Sequence, residues 1–270
     1  MLFIMKLRYM IRSNFPIILG HMTYLNSAVF YSNLPKNKYK LKPYTPREMA
    51  SSIESKKIFA GPIPYAEIVR LGEKVTPLSN IGVACKNDAK SVFVLSNDTI
   101  TKLKSKNKII NIAITSHSAT SVQLLRILLR DYWFIENYKF VNENSSHDAC
   151  LVIGDPAIKI YKSNYYNNIY DLALNWKEMT GLPFVFAEWV STKTSFENLK
   201  ALSEDIKNSI KLSIENIEKI TQNFSAHYFS KEEMIDYINN FTYLLDNDCR
   251  EGQKEFRKRL ATLDTWKSIY

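Results

Sequence analysis

The chain reads as an α/β protein with parallel sheets, and three observations predict this class. Short apolar runs alternate with segments of helical periodicity through residues 15–189. From Thr192 onward the pattern is helical, with helices expected near 194–223, 230–247 and 250–263. Between the two stands YDLALNWKEMTGLPFVFAEW (170–189), where a polar helical segment (171–179) turns at Thr180-Gly181-Leu182-Pro183 into a strand-favouring run (184–189). Gly181 suits the left-handed position that ends a helix, and Pro183 prevents its continuation. A surface helix there passes directly into a buried strand, as where a chain returns from one lobe to another.

In chain order, the apolar run 15–19, ended by Gly20, predicts a buried first strand. The loop His21-Met22-Thr23-Tyr24-Leu25-Asn26-Ser27 follows, at the strand end where open α/β sheets bind ligands. Residues 44–54 predict a helix with Thr45 as N-cap and Pro46 in its first turn. Residues 58–63 form the next strand and lead into a helix start at Pro64-Tyr65-Ala66-Glu67. Further strands are expected at 81–85, 91–95, 109–115 and 150–153, and a helix at 121–130 with Val122, Leu125 and Leu129 at helical spacing. Three junctions (20–27, 115–121 and 154–158) share one form: apolar strand, small or polar loop, then helix. Each can offer backbone N–H groups at a helix N-terminus, a setting that suits a carboxylate. Residues 116–121 of the second carry four hydroxyls in six residues: Ser116, Ser118, Thr120 and Ser121.

The 270 residues suffice for one large domain or two lobes, and a hydrophobic share of 46% supports a substantial core. A net charge of +9 admits nucleic acid, an anionic membrane or an anionic small molecule as partner. The lysines are scattered, however, and no nucleic-acid-binding signature accompanies them, so nucleic acid is not the expected partner. The three cysteines, Cys85, Cys150 and Cys249, are odd in number and lack metal-site spacing, which points to a reducing compartment. No stretch of about 18 uncharged apolar residues occurs, so no membrane span is expected. Lys6, Arg8 and Arg12 interrupt any signal-peptide core, and residues 1–14 read as an N-terminal extension of a cytoplasmic protein, or as a start codon placed too early, with Met5 and Met10 as alternatives.

Six motifs occur in order: GHMTYLNS (20–27), AGPIPYAE (60–67), KSVFVLS (90–96), TSHSATS (115–121), LVIGDPAI (151–158) and WKEMTGLPFVFAEW (176–189). Together they resemble the chorismate dehydratase family of the futalosine route to menaquinone. The resemblance implies a two-lobed type 2 periplasmic-binding-protein-like fold with mixed, mostly parallel sheets and C-terminal helices. Lobe one would comprise 15–95 and 184–270, and lobe two 96–183, with hinges near 91–97 and 183–189. The implied reaction converts chorismate to 3-[(1-carboxyvinyl)oxy]benzoate and water, a hydro-lyase reaction with no metal or organic cofactor. The family's catalytic Asn falls on Asn26, and the Ser that opens its crossing strand falls on Ser91. Two positions depart from the family pattern: Ala119 stands where many members carry Arg, and Glu188, where a small apolar residue is usual, would place a carboxylate near the cleft. A sister enzyme making 1,4-dihydroxy-6-naphthoate shares the fold, and a non-catalytic anion-binding protein of that fold is a further alternative. The 20–27 and 180–189 blocks fit the dehydratase better.

Chorismate carries two carboxylates, and a cleft must offset both charges with N–H groups, hydroxyls or cations. The substrate-binding candidates are Tyr24, Gly61, Ser116, Ser118, Thr120, Ser121, Gly154 and Asp155. Tyr65 and Trp189 are further candidates for the cleft wall. His21, Glu67 and Asp155 are the available bases, yet each has a structural role open to it: a backbone-bonded histidine at a strand end, a helix-dipole partner and a helix cap. The preferred reading is that a substrate carboxylate takes the proton, while the protein orients the ring and excludes water.

Overall fold

A computed structural model describes residues 16–106, 108–114, 119–163, 165–192, 196–224 and 229–264. Its first sheet collects β1 (Ile17–His21), β2 (Tyr39–Pro43), β3 (Ala60–Pro64), β4 (Val75–Cys85), β10 (Phe184–Thr192) and β11 (Phe241–Leu244), in the order β11-β4-β10-β3-β1-β2. The second collects β5 (Val92–Ser96), β6 (Ile110–Ile114), β7 (Tyr138–Asn142), β8 (Ala149–Ile153) and β9 (Asn168–Asp171), in the order β7-β6-β8-β5-β9. The chain leaves the first sheet after Cys85 and returns to it at Phe184. The α/β class and the mixed sheets are as the sequence predicts. Parallel pairs (β1 with β2, β1 with β3, β6 with β7, β6 with β8) make up four of the nine pairings, short of the expected majority. Four of the five antiparallel pairings arise because β5 and β10 enter the sheets against the direction of their neighbours, and the fifth joins β11 to β4.

Local chemistry accounts for the best-predicted elements. Helix α2 (Pro46–Glu54) begins with a complete capping box: Thr45 Oγ1 accepts the Glu48 N–H, and Glu48 reaches back to the Thr45 N–H. Helix α7 (Leu172–Thr180) ends at Gly181 with φ 75°, and Trp176 Nε1 donates to the Pro183 carbonyl at 3.1 Å. Phe184 then meets Trp176 edge-on at 5.4 Å, and Phe256 of α11 (Asn247–Ala261) closes the cluster at 5.3 Å from Phe184. These rings are fully buried and anchor β10 in the core of the first sheet.

Strand β3 is buried along its whole length. Pro62 and Pro64 carry no N–H, and the pairing of β3 with β1 is confined to Leu19 and Ala60. Beyond that point β3 pairs with β10 alone, and the ends of β1 and β3 lead to the cavity described below.

The tail departs from the all-helical expectation. Helix α8 (Phe196–Glu215) and α9 (Ile217–Asn223) are broken at Asn216, and the helix expected over 230–247 ends at Asn239 as α10 (Lys231–Asn239). Phe241-Thr242-Tyr243-Leu244 instead forms β11, pairing antiparallel with β4. Its aromatic and β-branched residues suit a strand once β4 offers an edge, a long-range effect that overrides helical periodicity. The strands β2, β7 and β9 also escaped prediction. Each lies at a sheet edge, and Lys40, Lys42 and Lys139 mask the apolar pattern in two of them.

Candidate functional site

A cavity of about 100 Å³ lies where the two sheets face each other. From the first sheet's side it is lined by Met22, Tyr24, Asn26 and Ser27 after β1, by Pro64 at the end of β3, and by Phe186 and Ala187 of β10. From the second side come Ser91 and Val92 at the start of β5, Ala119, Thr120 and Ser121 opening α5 (Ala119–Asp131), and Ile153 and Gly154 where β8 meets α6 (Gly154–Lys162). Tyr237 and Phe241 complete the wall.

The structure thus brings Tyr24, Asn26, Ser91, Thr120, Ser121 and Gly154 of the predicted set to one cavity. Ser116 and Ser118 lie outside the described residues. Gly61 is not in the lining. It sits beneath Met49, whose Sδ would be 2.7 Å from an added Cβ, so this glycine serves packing. Asp155 lies behind the wall and accepts the Leu25 N–H. Burial pushes its carboxyl above the ordinary range, against the pull of that hydrogen bond, and Oδ1 has no partner among the described residues.

The polar lining is tied across the cavity. Ser91 Oγ donates to the Ala89 carbonyl at 3.2 Å and accepts from Tyr237 Oη at 2.9 Å. The Ser91 carbonyl accepts the Gly154 N–H at 2.8 Å. Thr120 Oγ1 accepts the Ala66 N–H of α3 (Tyr65–Leu71) at 3.1 Å, joining the two sides. Asn26 Oδ1 accepts the Ser27 hydroxyl at 3.3 Å. Gly154 has φ 65°, and a Cβ there would lie 3.1 Å from the Tyr24 ring, so the absent side chain lets the two sides close. Burial, then the Asp155 charge, raises the Tyr24 phenol above its usual pKa.

The remaining candidates fall elsewhere. His21 is outside the lining, with its ring edge-on to Tyr31 at 4.5 Å and its carbonyl accepting the Tyr44 N–H; burial lowers its pKa. Glu67 is buried and accepts from Arg70 Nε and Nη2 at 2.9 and 2.8 Å. Tyr65 and Trp189, expected on the cleft wall, are both turned away from it. Tyr65 Oη accepts from Arg257, and Trp189 packs against Phe30 and Tyr31. The expectation that Glu188 places a carboxylate near the cleft is likewise overturned. Its carboxylate accepts from Arg250 Nη1 at 2.7 Å and Gln253 Nε2 at 2.9 Å, both of α11. A register shift between Val185 and Ala187 brings Phe186 and Ala187 to the cavity together, and strand alternation then sends Glu188 to the opposite face.

Sequence reasoning missed Tyr237, Phe186 and Phe241. Phe186 stood inside a recognised motif, and a bulge at that point was the only signal that could have found it. Tyr237 and Phe241 sit in a segment read as one helix, and no spacing linked them to Ser91. Among the described residues the lining contains no Asp, Glu, His, Lys or Arg. The polar groups of that described lining are hydroxyls, an amide and backbone.

Residues 17–262 match the profile of a family described as menaquinone biosynthesis. The chain belongs to that family. This menaquinone-biosynthesis family member is 23% identical over 266 residues to the chorismate dehydratase of Thermus thermophilus, covering 91% of this chain and 96% of that one. In structure it is similar to a protein of Archaeoglobus fulgidus, with a TM-score of 0.70 at 15% identity over 94% of this chain and 98% of that one. It is also similar to the periplasmic aliphatic sulphonate binding protein SsuA of Escherichia coli, with a TM-score of 0.62 at 12% identity over 91% and 86% of the two chains. These likenesses show a periplasmic-binding-protein-like fold. Among the described residues, no helix is long and apolar enough to cross a membrane.

Proposed function

We propose that this chain is a cytoplasmic chorismate dehydratase, converting chorismate to 3-[(1-carboxyvinyl)oxy]benzoate and water. One observation carries the reading. Asn26 and Ser91, far apart in sequence, line a single cavity in a family member whose curated relative is a chorismate dehydratase. The two sheets then act as the two lobes expected over 15–95 with 184–270 and 96–183, corrected in that Val92–Ser96 pairs within the second sheet. The Ala66–Thr120 hydrogen bond joins them, and the missing side chain at Gly154 leaves room for Tyr24 between them.

The reaction breaks a ring C–H bond and the neighbouring C–O bond. The C–H electron pair becomes ring π density, and the hydroxyl leaves with a proton as water. Aromatisation supplies the driving force, so the protein's task is orientation and exclusion of solvent. The described lining offers no ionisable acid, histidine or lysine as base. That suits a proton transfer to one of the substrate's own carboxylates. Asn26 and Ser91, from opposite sides of the cavity, would donate to a carboxylate or to the leaving hydroxyl, with the first residues of α5 adding the positive end of a helix dipole. The reading requires no metal or organic cofactor.

Incubating purified protein with chorismate and following the aromatic product by absorbance tests the proposal. Asn26→Ala and Ser91→Ala should each lower turnover, and near-normal rates in both would remove these residues from the mechanism. Chorismate bound but unchanged would favour an anion-binding protein. Turnover only of the cyclised futalosine product would favour the naphthoate synthase.

A further inference from the structure

We infer that Tyr237 is a positioning residue of this site, which sets Ser91 to act as a hydrogen-bond donor toward the ligand; the inference rests on the reaction proposed above. Tyr237 comes from α10, lines the cavity and donates its hydroxyl to Ser91 Oγ at 2.9 Å in a buried setting. Its ring is held between Phe229 at 5.7 Å and Phe241 at 5.1 Å, so the hydroxyl has little freedom to move.

The segment that carries Ser91 is pinned residue by residue. The Asp88 carbonyl accepts Asn240 Nδ2 at 2.7 Å, the Ala89 and Lys90 N–H groups donate to Asp171, and the Ser91 carbonyl accepts the Gly154 N–H. The Ser91 oxygen is therefore fixed in place, and only its proton is free to choose a direction. A serine hydroxyl has one proton to give and two lone pairs that accept. Tyr237 fills one lone pair, and the proton rests on the Ala89 carbonyl at 3.2 Å, a long separation for an O–H···O bond. A ligand oxygen in the cavity offers a shorter alternative. When the Ser91 proton swings to it, the Tyr237 bond remains and polarises the Ser91 hydroxyl, strengthening its donation as charge grows on the ligand oxygen. Without Tyr237 the serine remains, but as a weaker donor with no partner holding its oxygen.

A double-mutant cycle on chorismate turnover tests this with the full chain: wild type, Tyr237→Phe, Ser91→Ala and the double variant. Phe keeps the ring and its aromatic contacts, and thermal melting of each variant checks that the fold persists. In the wild-type background Tyr237→Phe should lower kcat about tenfold with little change in KM, the scale of one hydrogen bond. In the Ser91→Ala background the same change should have no further effect. Equal losses in both backgrounds, or a wild-type kcat in Tyr237→Phe, overturn the inference while leaving the reaction intact. A wild-type protein that makes no aromatic product overturns the reaction and this inference together.

Discussion

Replacing Asp171 with Ala should destabilise the protein by about 3 kcal/mol. The Asp171 carboxylate receives four backbone N–H groups: Ala89 at 3.0 and 3.1 Å, Lys90 at 2.8 Å, Ala173 at 2.9 Å and Leu174 at 3.2 Å. The last two make Asp171 the N-cap of α7, and the first two fasten the segment that precedes Ser91. Summing four bonds to a charged acceptor, at about 1.5–3 kcal/mol each, would overstate the loss. Water can reach the exposed Lys90 and Leu174 in the variant, and the burial that pushes the Asp171 pKa up is relieved. What remains is the cap, worth about 1 kcal/mol, and the fully buried Ala89 N–H left without an acceptor, worth about 2 kcal/mol. With an unfolding entropy of about 2.1 cal/mol/K per residue over 270 residues, 3 kcal/mol lowers Tm by roughly 5 °C. Differential scanning calorimetry measures this, and Asp171→Asn, which keeps one acceptor oxygen, should recover about half. A Tm for Asp171→Ala within about 1 °C of wild type would refute the clasp as an energetic feature.

Gly154→Ala forces a side chain onto φ 65° and to 3.1 Å from the Tyr24 ring. It should cost about 1 kcal/mol of stability and raise KM several-fold by holding the lobes apart, as ligand titration and melting would show. Glu188→Ala leaves Arg250 and Gln253 without their shared acceptor and should lose about 2 kcal/mol. Turnover per folded molecule should be unchanged, because that carboxylate faces away from the cavity; a selective loss of kcat would contradict the geometry. His21 has a pKa lowered by burial from the ordinary 6.5, so the unfolded state binds its proton first. The stability it contributes is complete above pH 6.5 and is lost as pH falls through the depressed value. Denaturant titrations between pH 7 and pH 5 should therefore show a shallower decline in His21→Gln than in wild type.

Much of the architecture was legible because it rests on interactions spanning a few residues. The Thr45 cap with Pro46, and Gly181 with Pro183, announce helix ends through chemistry contained in their own segments. The buried strands carried runs of apolar residues. The edge strands did not, since one face and one edge of each meets water. For the site, the motifs marked the loop of Asn26 and the strand start at Ser91, and the structure places both at one cavity. Glu188, Tyr65 and Trp189 were misread because a residue's address in a motif does not state which face of the strand or helix it occupies.

Taken alone, the amino-acid order determined the fold class, the principal helix caps and turns, and the loops that border the cavity, since these depend on backbone preferences and hydrophobic period. Only the tertiary structure decided that Phe241–Leu244 joins β4, that a bulge turns Phe186 inward and Glu188 outward, and that Tyr237 reaches Ser91. Those outcomes depend on which distant segments pack together and in what register, and the energies that select them arise only when both partners are in place.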